Sequence, residues 1–151
     1  MDDELRTTDM QPSAAGSRIL GWWLLGLSVV LVLVVMALPP QTMAWMRADY
    51  RWLGRPLNWL EMLSPHIDLD HVVLFGWIGF ATCLAWRGAH GWRLLPGLAG
   101  LAVASELMQF AVPGRTPRLT DARDDLLGAV VGWGLALLLV WVVRWMSRRQ
   151  A

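Results

Sequence analysis

Polar and apolar positions fall into long blocks along this chain. Residues 19–38 carry no charged side chain over 20 positions, and 126–143 carry none over 18. Residues 72–86 and 94–112 are nearly as apolar, the second broken only by Glu106 and Gln109. A helix needs about 20 such residues to cross the hydrocarbon core of a bilayer. The blocks therefore predict an all-α, polytopic membrane protein. Its four transmembrane helices form a bundle at about 19–38, 69–86, 93–112 and 125–144, the second recruiting Asp70 and His71 at its start.

A different pattern occupies 43–63, where Trp45, Trp52, Leu53, Leu57, Trp59, Leu60 and Leu63 alternate with Arg47, Asp49, Arg51, Arg55 and Glu61. This mixture predicts an interfacial helical segment lying on the membrane surface in the first outer loop, interrupted at Pro56. The alternative is a lid facing lipid or substrate. The first apolar block exceeds the h-region of a signal peptide, roughly 7–15 residues, and lacks a basic n-region, since Asp2, Asp3, Glu4 and Asp9 precede it. It is expected to be a retained span ended by Pro39-Pro40. Residues 1–17 are expected to be a disordered cytoplasmic tail, 18–146 the membrane domain and 147–151 a basic tail.

Composition strengthens this picture. Hydrophobic residues make up 56% of 151, and the mean hydropathy is +0.42, too apolar for an ordinary soluble domain. A net charge of +1 gives no basis for a nucleic-acid partner. All 13 basic residues are Arg, which reads as genomic composition rather than chemistry. The single cysteine, Cys83, excludes an intramolecular disulfide and reads as a small packing residue. The methionines serve as gap fillers in apolar helices, and no cofactor is expected.

With the N-terminus inside, seven arginines (6, 18, 87, 93, 144, 148 and 149) fall on the cytoplasmic side and six (47, 51, 55, 115, 118 and 123) outside. The short connection from Arg87 to Arg93 and the Arg144, Arg148, Arg149 end act as inside anchors under the positive-inside rule. Trp22, Trp23, Trp86, Trp92, Trp141 and Trp145 fall at the same inner level, as an aromatic belt does. The expected topology is N-in, C-in. His66 and His90 are expected to be solvated loop residues.

This topology brings three polar groups to one depth. Asp68, Asp70 and His71 open the second span. Glu106 and Gln109 share a face at i and i+3 near the end of the third. Arg115, Arg118 and Asp121 occupy the next outer loop. Asp121, Asp125, Gly128 and Gly132 follow at i, i+4, i+7 and i+11, one stripe of the fourth helix, where the two glycines allow a second helix to approach closely.

These residues carry a family resemblance. Glu106-x-x-Gln109, Pro113-Gly114-Arg115, Asp121, and Asp125-Leu-Leu-Gly128-Ala-x-x-Gly132 resemble the E-x-x-Q, P-G-R and D-x-x-x-N-x-x-G-x-x-x-G elements of VanZ-like membrane proteins. His71-Val-Val-Leu-Phe75 is similar to that family's H-f-x-x-F element. Two departures make the chain more acidic: Asp68 stands where the family has a Lys, and Asp125 where it has an Asn. The resemblance implies a multi-pass protein of the bacterial inner (cytoplasmic) membrane with a role in the cell envelope. The founding members are associated with low-level resistance to the glycopeptide antibiotic teicoplanin. The implied partners are the lipid bilayer and an envelope lipid or lipid-linked glycan.

Three readings of the polar residues remain open at this level. In the first, Glu106 and Asp121 pair with Arg115, while His71 and Gln109 complete a structural plug; removing one partner of such a buried pair costs about 3–5 kcal/mol. In the second, His71, Glu106, Gln109, Arg115, Asp121 and Asp125 form a binding site in which Arg115, Arg118 and Arg123 receive a phosphate or carboxylate. In the third, an enzyme acts on an envelope lipid or glycan, with His71 or Glu106 as general base and Arg115 stabilising negative charge. A metal-dependent variant of the third uses His71, Glu106, Asp121 and Asp125 as ligands. Four spans without an internal repeat argue against a secondary transporter.

Overall fold

The computed structural model describes residues 14–63, 67–86, 91–116 and 118–149. Among them are six α-helices and no strand: α1 (Ala14–Met36), α2 (Pro40–Asp49), α3 (Arg51–Leu63), α4 (Leu69–Ala85), α5 (Leu95–Gln109) and α6 (Leu119–Arg149). A 3₁₀ turn, Gly91–Leu94, leads into α5. The predicted all-helical class is the observed one. Most of the predicted tail, together with His66 and His90, lies outside the described residues.

Among the described residues, two helices are long and apolar enough to cross a membrane. Ile19–Met36 within α1 has a mean hydropathy of 2.6, and the apolar window of α6 reaches 2.5. Only 11% and 22% of these windows are buried, so neither behaves as the core helix of a soluble fold. Leu27, Leu31 and Val34 on α1 and Leu135, Leu138 and Trp141 on α6 present large apolar side chains outward. Contiguous apolar surface of this kind is not sustained in water.

The other helices differ from expectation in length. α4 has 17 residues and α5 has 15, so at 1.5 Å per residue they reach only about 25 and 22 Å. α4 starts at Leu69 because Asp68 caps it, its carboxylate accepting from the His71 N–H at 3.3 Å. α5 stops at Gln109 because Pro113 and Gly114 turn the chain. The Arg115 N–H bonds the Val112 carbonyl at 3.1 Å, and Gly114 takes φ 81°, the type II pattern that glycine accepts without strain. α6 begins at Leu119, ahead of the expected 125, and runs on to Arg149. The basic end is therefore helical, with the Arg149 guanidinium 3.7 Å from the Trp145 ring centre.

The surface segment is helical as predicted, but it breaks at Tyr50 and not at Pro56, which lies inside α3. Tyr50 leaves the helical region at φ −101°, ψ 86°, while its carbonyl accepts from the N–H groups of Leu53 and Gly54. Gly54 permits the tight return: a Cβ there would sit 2.1 Å from the Arg47 carbonyl oxygen. Proline removes one helical donor, and α3 tolerates that loss.

The most extensive packing joins α4 to α6. A Cβ on Gly128 would lie 2.2 Å from the Val72 oxygen, and one on Gly132 1.8 Å from the Gly76 oxygen. A Cβ on Gly79 would lie 2.0 Å from the Ala129 oxygen. Residue 72 meets 128 and 76 meets 132, so the two helices run parallel in a fixed register. Phe75, Ile78 and Ala129 pack beside this seam with Val32 and Met36 of α1 and Leu98 and Ala102 of α5. Trp77 donates its indole N–H to Ser28 Oγ at 3.0 Å, tying α4 to α1. Ser28 in turn donates to the Leu24 carbonyl at 2.8 Å.

Candidate functional site

Parallel packing places the N-termini of α4 and α6 side by side. Each end carries unpaired N–H groups and partial positive charge, so both favour nearby carboxylates. The sequence supplies Asp68 and Asp70 at one end and Asp121, Asp124 and Asp125 at the other. The C-terminal turns of α5 add Ser105, Glu106 and Gln109, all buried.

Asp125 is fully buried between the helices. Its Oδ1 lies 2.9 Å from His71 Nδ1, and its Oδ2 accepts from Ser105 Oγ at 3.0 Å. Asp124, also buried, accepts the Asp68 backbone N–H at 2.9 Å and the Arg123 guanidinium at 2.7 Å. These two aspartates close the polar end of the α4–α6 seam. Ser105 and Asp124 are not among the candidates drawn from the sequence. Ser105 was detectable as the residue one turn before Gln109, whereas Asp124 gave no signal that separated it from Asp125.

Glu106 meets His71 and Asp121. One ligand atom from each of the three lies within 4.8 Å of the others. Glu106 Oε2 accepts the Arg118 backbone N–H at 3.0 Å, while Oε1 is buried without a hydrogen-bond partner. Gln109, 2% exposed, likewise has a buried Nε2 without a partner.

Arg115 stands apart from these carboxylates. Among the described residues it makes no ion pair; its Nη2 reaches the Leu38 carbonyl at 3.5 Å, and its Nε has no partner. The plug pairing of Arg115 with Glu106 and Asp121 is thus not formed. The 112–115 turn directs Arg115 toward the end of α1, and a backbone N–H takes up Glu106 instead.

Arg115 and His71 line a cavity of about 300 Å³ between the ends of α1 and α4 and the surface helices. Val35, Met36, Met43 and Leu74 form its apolar wall, with Arg47, Glu61, Asp68 and Asp70 on the polar side. Arg47 holds the surface helices to α4 through Glu61 and through Asp70 Oδ2 at 2.5 Å. Burial works against the Arg47 charge, but the hydrogen bond to Glu61 and the charges of Asp70, Glu61 and Asp68 together raise its pKa above the ordinary arginine value. Arg47 is a site residue that the sequence could not single out, because its partners lie 14 and 23 positions away.

Exposed apolar helices surrounding a polar, cavity-bearing end define an all-helical membrane protein. The chain belongs to the VanZ/LLP1 family, which matches residues 22–141. No curated protein and no solved structure matches it.

Proposed function

We propose that this chain is a four-span protein of the bacterial inner membrane, with both ends of the membrane domain cytoplasmic. In this reading it binds an outer-leaflet lipid or lipid-linked envelope component in the cavity beside α4, and through that ligand alters sensitivity to lipophilic glycopeptides. The carrying observation is Arg115, a guanidinium without a carboxylate partner among the described residues, lining a cavity that also has an apolar wall. Arginine recognises phosphate and carboxylate groups through paired N–H donors. Val35, Met36 and Leu74 would accept the adjoining chain carbons. Arg47 is already neutralised by two carboxylates and contributes position rather than free charge.

Four spans are supported by the course of the chain. The start of α4 packs beside the end of α1 at the cavity and beside the end of α5 and the start of α6 at the His71–Asp125–Ser105 contact, so each of these four helices reverses the direction of the one before. α4 and α5 are short for a full crossing, and the surface helices and the 3₁₀ turn extend the bundle at its two faces. Trp22 and Trp86 meet edge-to-face at 5.4 Å at the opposite end, where an interfacial belt belongs.

Native mass spectrometry on protein from nanodiscs containing phosphatidylglycerol and phosphatidylcholine tests the reading. Wild type should retain the anionic lipid preferentially, and Arg115→Ala should lose that preference while remaining folded. Equal retention by the two proteins would overturn it. In cells, Arg115→Ala at normal membrane abundance should also lose any change in teicoplanin sensitivity that wild type confers.

A further inference from the structure

The geometry points to a divalent-cation site formed by His71, Glu106 and Asp121, taking an ion of intermediate hardness such as Zn²⁺ or Mn²⁺. It goes beyond the lipid-binding reading and stands independently of it. The three side chains come from α4, α5 and α6, and each offers a ligand atom within 4.8 Å of the other two. Zinc–nitrogen and zinc–carboxylate bonds are about 2.0–2.2 Å, so ligand atoms around one tetrahedral ion lie about 3.3–3.6 Å apart. Rotation of the half-buried Asp121 side chain would draw the three atoms to that spacing.

An unsatisfied atom selects this place. Glu106 is 6% exposed, and its Oε1 has no hydrogen-bond donor among the described residues. Leaving a buried carboxylate oxygen unpaired is costly, and a proton or a cation would relieve it. Two further ligand atoms at this distance favour the cation. Asp121 is only half-buried, which leaves a route for the ion and room for water as a further ligand.

The histidine is arranged for the same role. Asp125 Oδ1 holds His71 Nδ1 at 2.9 Å, leaving Nε2, which lies 3.9 Å from Asp68 Oδ2, as the nitrogen available to a metal. A carboxylate on the far nitrogen fixes the ring orientation, as metal-bound histidines commonly require. Ser105 fixes Asp125 in turn at 3.0 Å. Imidazole favours zinc and its neighbours, while carboxylates favour manganese and harder ions, so one nitrogen with two carboxylates suits the intermediate class.

The test uses full-length protein in nanodiscs, stripped with chelator and titrated separately with Zn²⁺ and Mn²⁺. Native mass spectrometry and elemental analysis read the uptake, and thermal unfolding reports the fold. Wild type should take up one equivalent of at least one ion. Glu106→Gln and Asp121→Asn should each weaken uptake tenfold or more, and Asp49→Asn should leave it unchanged. Asp121 is half-buried and accepts its hydrogen bond from the neighbouring Thr120 Oγ1 at 3.2 Å, so its variant keeps the comparison valid if Glu106→Gln fails to fold. Folded wild type that takes up neither ion, or an Asp121→Asn protein that binds as tightly as wild type, would overturn the site. Lipid retention without metal overturns this inference alone, and metal uptake without lipid overturns only the lipid reading.

Discussion

His71 Nδ1 and Asp125 Oδ1 meet at 2.9 Å across the parallel α4–α6 seam, with both side chains buried. The pair joins residues 54 positions apart, and Ser105 brings α5 into the same contact. Asp125→Leu would leave His71 and Ser105 facing an apolar group and should destabilise the protein by about 3 kcal/mol or more. Asp125→Asn keeps an acceptor for either neighbour and should cost less than half as much. Chemical unfolding of the two variants in matched detergent checks the order.

The seam itself predicts opposite outcomes for two nearby glycines. A Cβ at Gly132 would strike the Gly76 carbonyl oxygen at 1.8 Å, a backbone atom that cannot rotate away. Gly132→Ala should therefore destabilise by roughly 1–3 kcal/mol or more, as overpacking does. Gly134 has nothing within 4 Å, and Gly134→Ala should be neutral or mildly stabilising through its helix propensity. Paired thermal-unfolding curves decide whether the seam is built as described.

Arg47→Ala should release the surface helices without dismantling the bundle. It removes the partner of Glu61 and of Asp70, whereas the α4–α6 seam makes no use of it. Hydrogen exchange should rise across α2 and α3 and remain low across 72–79. Equal acceleration in both regions would show that the surface helices are integral to the core.

The proposed topology can be read with single cysteines in a Cys83→Ser background. Thr42→Cys in α2 should react with an impermeant maleimide added to intact cells. Ser147→Cys near the end of α6 should react only after the membrane is opened. The reverse labelling would place the cavity on the cytoplasmic face.

Much of the architecture was legible in the hydropathy blocks. Uncharged runs identify α1 and α6, because a lipid-facing helix must be apolar along its whole length. The spacing of Asp121, Asp125, Gly128 and Gly132 was also informative, because one helical stripe must face one neighbour. Exact ends were not legible. α4 starts where Asp68 finds the His71 N–H, and the surface hairpin breaks where Gly54 can touch Arg47, and both depend on tertiary geometry. Charge partners were misread for a related reason. Complementary signs suggest Arg115 with Glu106, but the loop turn carries Arg115 away and offers the Arg118 N–H in its place. Backbone donors in irregular segments leave no mark in the sequence.

Parallel packing of α4 and α6 has a consequence for the order in which the molecule is made. Neighbours in a helical hairpin can join as soon as the second emerges, but α4 must wait through the whole of α5 for its partner. During that interval the Gly76 and Gly79 groove is uncovered and His71 lacks Asp125. A nascent chain halted before Leu119 should hold α1 to α5 and no closed polar end. Emergence of α6 is then what seals the polar end, and until that moment the groove on α4 stays open.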